Sequence, residues 1–352
     1  MFVLHIVEPD LVNSDIRLFF KRSFLELGRR RRGLDGWPTE EQLDCLSERA
    51  AGLFVYAVAT VKFIGDKNND PKQQLNRILQ STNNTAYEGK TKFRPNMTLN
   101  LLYMTILQGA FEDDDPEDDR KVRSVLGAVT LAVNPLSPAT IATILGLSTE
   151  DTFLRLSSVH SLLLLQTVDH PVRPYHKSFP DFIVDPARCT DKRFHVFPPD
   201  YHSELLIGCL ELLNRKLEKN MCDLPNAVAN DEVGDLRERA EQHIGHDLRY
   251  ACSSWHKHFV DAHTAPAHTA KIISVLHQFL QGKFLFWLEV LSVLGAARDA
   301  VEALEAAAKW LEVCHVYTLG VFPKFTHIGS RHHQLLTSSV TVFDLSPDSS
   351  KS

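Results

Sequence analysis

Apolar positions along this chain recur mostly at steps of three and four residues, the period of helices with one buried face. Asn13, Ser14 and Asp15 precede Ile16, Leu18, Phe19, Phe20 and Phe24, which predicts a capped helix. Arg29, Arg30, Arg31 and Arg32 at its tail suit a helix C-terminus, and Gly33 is placed to end it. Trp37-Pro38-Thr39 opens a second helix, with Thr39 and Gln42 as a capping box. Its face, Leu43, Leu46, Ala50, Leu53, Ala57, Val61 and Ile64, reads as one unbroken helix. Residues 67–87 are polar and Asn-rich and read as a linker with a helical piece at 75–79. Leu99, Leu102, Tyr103, Ile106, Leu107 and Phe111 form another amphipathic helix.

Three places depart from that period. Residues 2–7 read as a short strand. Residues 162–168 and 172–175 read as a hairpin around the Asp169-His170-Pro171 turn. A solvated acidic loop leads to a helix over 120–133. Ser137-Pro138 starts a short helix to Leu145, and Ser148 with Asp151 caps another through Val159. Three helices, the hairpin and a closing helix over 176–184 follow the winged-helix plan. After a proline-bearing connector the chain is all helix, over 201–217, 232–259, 267–281, 283–295 and 297–313. The longest presents Val233, Leu236, Ala240, Ile244, Leu248, Ala251, Trp255 and Phe259 on one face. Short connections make the later helices antiparallel neighbours.

The fold class expected is therefore mainly α: a helical lid domain, a winged-helix domain with one small β-hairpin, then an antiparallel helical domain. The boundaries are 1–12 (a remnant strand), 13–111 (lid), 112–119 (acidic linker), 120–185 (winged helix), 186–200 (connector), 201–313 (helical domain) and 314–352 (irregular tail).

Charge sharpens this division. The chain of 352 residues carries a formal net charge of −6. Glu112, Asp113, Asp114, Asp115, Glu117, Asp118 and Asp119 supply seven negative charges, and removing them from −6 leaves +1. A near-neutral body is no electrostatic footprint for nucleic acid. Over 137–185 five acids face three bases, a net −2, so the winged helix reads as a packing or regulatory module. Six scattered cysteines without a C-x-x-C pair fit neither a disulfide scaffold nor a zinc knuckle. No apolar run approaches the roughly 18–20 residues of a membrane span. Met1 to Val7 lacks the basic flank of a signal peptide, so a cytoplasmic location is expected.

Candidate chemistry is sparse. Neither G-x-x-x-x-G-K-[ST] nor G-x-G-x-x-G occurs, so the usual phosphate cradle is absent from the chain. His176, Lys177, Ser178 and Asp181 form the densest polar group. A serine nucleophile normally draws its partners from separate elements, which these residues do not. His243, His246, Cys252, His256, His258 and His263 crowd one stretch, where Cys252 and His256 share a helical face. Core or surface histidines explain this group better than a metal site.

The order of several motifs resembles the part of fungal NACHT-type STAND NTPases (NLR-like proteins) that follows the nucleotide-binding core. Arg49-Ala50-Ala51-Gly52-Leu53-Phe54-Val55-Tyr56-Ala57 occupies the place of the GLPL motif of related NB-ARC proteins, with Phe54 where that form has proline. Leu99, Leu102, Tyr103, Ile106 and Leu107 are similar to the helix that follows. Val125-Leu126-Gly127-Ala128, Pro135-Leu136-Ser137 and Ile141 to Leu147 look like the winged-helix entry. Pro174-Tyr175-His176-Lys177-Ser178-Phe179-Pro180-Asp181-Phe182 looks like the H-x-S-F-x-[DE]-[FY] motif at its end. Leu248-Arg249-Tyr250-Ala251-Cys252, Trp255 and His258 fit the helical domain beyond it. The resemblance spans roughly residues 1–313.

The resemblance implies a signalling switch that is closed with ADP and oligomeric with ATP. His176 would touch the β-phosphate of ADP in the closed state, and Gly52, Leu53 and Phe54 would lie near the adenine. ATP, ADP and Mg are implied for the whole family, with no cofactor held by this chain itself. The Walker motifs would lie upstream, and residues 2–7 would be the last strand of the nucleotide-binding sheet. The expected partners are that nucleotide-binding domain and proteins met through helical faces, with no nucleic acid and no membrane span. No NTPase activity is expected of the chain. The competing expectation is a free-standing helical adaptor derived from the family.

Overall fold

The computed structural model describes residues 9–81, 95–111, 115–225, 229–264 and 266–314. Within them the protein is mainly helical, with fifteen α-helices and one two-stranded antiparallel sheet. The chain divides into two compact units, 1–201 and 202–352.

The first unit begins with α1 (Pro9–Arg30), α2 (Glu40–Ala50), α3 (Phe54–Ile64), α4 (Pro71–Ser81) and α5 (Pro95–Ala110). Ile16, Phe20 and Phe24 are buried at four-residue steps along α1, and the last two rings stack 5.9 Å apart. Of the segment 1–12 expected as a strand, residues 1–8 lie outside the described residues and 9–12 are helical. α1 starts at Pro9, ahead of the Asn13-Ser14-Asp15 triplet expected to cap it. Proline's preset φ and missing N–H suit that first position, so the triplet is interior.

The Thr39–Gln42 capping box forms as read. The long helix expected from Thr39 to Ile64 is instead two. Ala51 and Gly52 adopt φ of +46° and +82°, and extended Leu53 starts α3. Left-handed backbone ends the hydrogen-bond ladder even though the apolar period continues across it. The linker expected over 67–87 holds the full helix α4, which Asp70 starts by accepting from the Lys72 amide. Residues 82–87 lie outside the described residues. Arg49 is buried, and its guanidinium donates to the carbonyls of Ile78 and Leu79 at 2.6 and 2.8 Å. A cation is favourable at that helix C-terminus.

The second half of this unit contains α6 (Pro116–Leu131), α7 (Pro138–Leu145), α8 (Thr149–Ser158), β1 (Leu163–Leu164), β2 (Arg173–Pro174) and α9 (Ser178–Ile183). The acidic linker expected over 112–119 is partly helix. Asp115 caps α6, Pro116 opens it, and Glu117, Asp118 and Asp119 fill its first turn. Negative charge is favourable there. Residues 112–114 lie outside the described residues. Ser137 and Ser148 cap α7 and α8 through the amides of Thr140 and Asp151.

The hairpin is shorter than read, two residues a side, with Leu163 opposite Pro174 and Leu164 opposite Arg173. Pro174 and Pro171 have no N–H to extend a ladder. The connector between α6 and α7 and the start of α7 join the hairpin instead: the Val172 amide donates to the Leu136 carbonyl at 2.8 Å, and the Ala139 amide of α7 to the Val168 carbonyl at 2.9 Å. Arg155 of α8 is taken up internally by Asp118 of α6 and Asp151. The Asp118 carboxyl is held below its ordinary range by that guanidinium. Gly127 permits a close approach, because a Cβ there would lie 2.7 Å from the Tyr201 ring.

The unit boundary falls inside α10 (Pro198–Lys216). That helix begins at Pro198, three residues before the expected start, again on a proline suited to a first turn, which shortens the connector to 186–197. The second unit then holds a 3-10 turn (Asn230–Glu232), α11 (Leu236–His243), α12 (His246–Ser254), a 3-10 turn (Trp255–Val260), α13 (Pro266–Gly282), α14 (Phe284–Val293) and α15 (Asp299–Val313). The single helix expected over 232–259 is broken twice. Ile244 is extended and Gly245 caps α12, and at Trp255 the ladder tightens to 3-10. Glycine weakens a helix interior, which tips that site toward a cap.

Trp255 is the centre of this core, with Phe279 at 5.4 Å, Trp287 at 5.7 Å and Phe259 at 5.8 Å. The Trp287 indole donates to the Cys252 carbonyl at 2.9 Å. All six cysteines are free. No helix among the described residues is long and apolar enough to cross a membrane. The tail beyond Cys314 lies outside the described residues.

Candidate functional site

The junction between β2 and α9 concentrates the polar chemistry of the first unit. Hairpin pairing ends at Pro174, the Tyr175 amide closes on the Leu162 carbonyl at 3.0 Å, and His176 and Lys177 lead into α9. Phe179, Phe182 and Ile183 anchor α9 in the core, which leaves His176 exposed at its start. The imidazole Nδ1 lies 2.7 Å from the Ser178 hydroxyl and 3.1 Å from the Ser178 amide. Ser178 Oγ lies 2.7 Å from the Tyr103 hydroxyl of α5. Tyr103 is buried against Phe179 and Phe182, at 5.5 and 5.4 Å between ring centroids. Burial pushes its phenol above the ordinary range, so it stays protonated at neutral pH.

A second tie holds the same junction. Lys62 of α3 sits 3.8 Å over the Tyr175 ring centroid and donates to its hydroxyl at 2.6 Å. Helices α3 and α5 therefore both grip the residues flanking His176. Of the polar group read from sequence, the structure brings together His176 and Ser178. Asp181 is exposed, and its amide donates to the Lys177 carbonyl as part of α9.

Gly52, Leu53 and Phe54 form the turn between α2 and α3. Phe54 is 44% exposed, with its ring edge on Phe19 at 6.2 Å. Lys62 lies eight residues further along α3, about 12 Å of helix axis. The two parts of the expected site thus sit toward opposite ends of α3. A cleft of about 400 Å³ beside Lys62 is lined by Ser23, Glu26, Leu27, Arg30, Val61, Gly65 and His160, and by none of the residues expected to touch nucleotide.

His176 fits a ligand touched from one side. It is exposed, and its hydrogen bonds to Ser178 run through Nδ1, so Nε2 takes no part in them. Nothing in the sequence adds a cradle of loop amides around it. Tyr103 and Lys62 were not singled out from sequence as supports of His176. A buried tyrosine hydroxyl signals that a partner is needed, but that partner is 75 residues away.

The histidine-rich stretch divides at the helix breaks. Cys252 is buried in α12, while His256 and His258 are buried in the 3-10 turn. His258 joins the His202 Nδ1 and the Tyr250 hydroxyl, each at 2.9 Å. Burial lowers the pKa of His258 to about 3 and lowers those of His202 and His256. No group of three metal-ligating side chains occurs among the described residues.

No family model, curated protein or solved structure matches this chain.

Proposed function

We propose that this chain is the regulatory part of a NACHT-type STAND signalling switch: helical lid, winged helix and helical linker. It holds ADP in the closed state through His176 and couples nucleotide exchange to oligomerisation in the cytoplasm. A nucleotide-binding domain that partners this chain supplies the phosphate-binding loop that the sequence lacks, and the chain hydrolyses no nucleotide by itself.

The observation that carries this reading is the segment from α6 to α9. Three helices lead to a hairpin that bonds back to the α6–α7 connector at Leu136, an order that supports the winged-helix reading. The hairpin ends at His176, and lid helices α3 and α5 reach its two flanks through Lys62 and Tyr103. An imidazole N–H is a suitable donor to phosphate oxygen. Phe54, half exposed at the other end of α3, offers a ring face suited to a base. Arg155, the one base on α8, is already paired with two carboxylates, which favours packing over DNA contact.

In a polypeptide that joins this chain to a phosphate-binding loop, ADP is expected to shift the ring resonances of His176, while adenosine leaves them unchanged. ATP turnover by the purified chain refutes the reading, as does an ADP response confined to other histidines. The adaptor reading is favoured by Val260 and Leu285, which are 80% and 67% exposed in the second unit. It predicts partner binding that is indifferent to nucleotide.

A further inference from the structure

The hydrogen bonds around His176 have one consistent direction. A backbone N–H only donates, so the Ser178 amide makes Nδ1 an acceptor and leaves it unprotonated. Ser178 Oγ touches the same nitrogen, so its single proton points to Nδ1. The Ser178 oxygen must then accept from the Tyr103 hydroxyl. In a neutral ring the remaining proton sits on Nε2.

We infer that Ser178 and Tyr103 are positioning residues: a hydroxyl relay from α5 holds His176 as its Nε2–H tautomer, a preset donor for an anionic ligand of the phosphate class. The Ser178 amide favours this tautomer and the relay adds to it; as that support is lost the Nδ1–H form gains, which turns a lone pair toward the ligand and repels it. The phenol can sustain the relay because Phe179 and Phe182 clamp its ring and burial keeps it protonated. α5 thereby sets the proton on a residue 73 positions along the chain from Tyr103. Only the identity of the ligand rests on the switch function proposed above; the tautomer does not.

The test is ¹⁵N-histidine NMR of the full chain at a pH where the rings are neutral, comparing wild type with Ser178→Ala, Tyr103→Phe and Ser178→Thr. Wild type is expected to show His176 as the Nε2–H form alone. Ser178→Ala is expected to move the tautomer ratio toward Nδ1–H by roughly 5-fold, the worth of one ordinary hydrogen bond. Tyr103→Phe is expected to move it less, and Ser178→Thr to restore it. Phenylalanine keeps the ring packing of Tyr103, so a purely structural role leaves the tautomer where it was. A mixed tautomer in wild type overturns the inference. So does a ratio unchanged in both Tyr103→Phe and Ser178→Ala, and if the alanine variant fails to fold, Tyr103→Phe alone decides. A tautomer as expected, in a chain whose His176 ignores ADP once joined to a phosphate-binding loop, upholds the relay and counts against the nucleotide.

Discussion

Mild acid should destabilise the second unit through its buried histidines. His258 is fully buried between His202 and Tyr250, and its pKa is lowered to about 3, from 6.5 when free. Asp261, 3.7 Å from His202 Nε2, selects the proton order. Tyr250 donates to His258 Nε2, His258 Nδ1–H donates to His202 Nδ1, and His202 Nε2–H faces the carboxylate. Burial disfavours a charge on His258, and the neighbouring His202 and His256 add to that. Its folded pKa lies below the unfolded one, so stability is intact above pH 6.5 and falls as the unfolded state takes up the proton. The slope is about 1.4 kcal/mol per pH unit, so moving from pH 7.5 to pH 5 costs about 2 kcal/mol from His258 alone. His202 and His256, also lowered by burial, add to the same side. Carboxylates held below their ordinary range, such as Asp118, titrate at lower pH and stay out of this window. Urea titrations followed by tryptophan fluorescence read the effect, because Trp255, Trp287 and Trp310 lie in the second unit and only Trp37 in the first. His258→Gln should flatten the pH dependence. Equal stability at pH 7.5 and pH 5 in wild type would refute the reasoning.

Other substitutions test the packing around the site. Gly127→Ala places a methyl group against the Tyr201 ring and should lower stability by about 1–3 kcal/mol in chemical denaturation. Arg155→Met leaves Asp118 and Asp151 facing each other between α6 and α8, and should cost about 1–2 kcal/mol, a loss that high salt reduces. Trp287→Phe orphans the buried Cys252 carbonyl and should cost about 1–3 kcal/mol, read as a lower urea midpoint in the second unit.

Local signals were the legible ones. The Thr39–Gln42 box, the Ser137 and Ser148 caps and Pro138 in the first turn of α7 act within a few residues, and each marks an element the structure contains. Breaks within an apolar period were not legible. Leu53 and Ala57 keep the step of Ala50, and Leu248 keeps that of Ile244, although left-handed Gly52 and capping Gly245 interrupt both helices. The acidic run looked like pure solvation, yet Asp115 and Pro116 turn its second half into a first turn. At the candidate site His176 and Ser178 could be read as neighbours. Tyr103 and Lys62 could not, since only the packing of α3 and α5 against the hairpin end brings them there. Arg49 shows the same limit: its burial depends on where α4 ends.

The central claim is that His176 holds ADP in the closed state of a switch. Its most direct test is the ADP release rate from a polypeptide that joins this chain to a phosphate-binding loop, with His176 and with His176→Ala. Loss of one hydrogen bond to a charged phosphate is worth about 1.5–3 kcal/mol, so release should be faster by roughly 10- to 100-fold in the variant. An unchanged release rate, with the variant folded as wild type, would contradict the account.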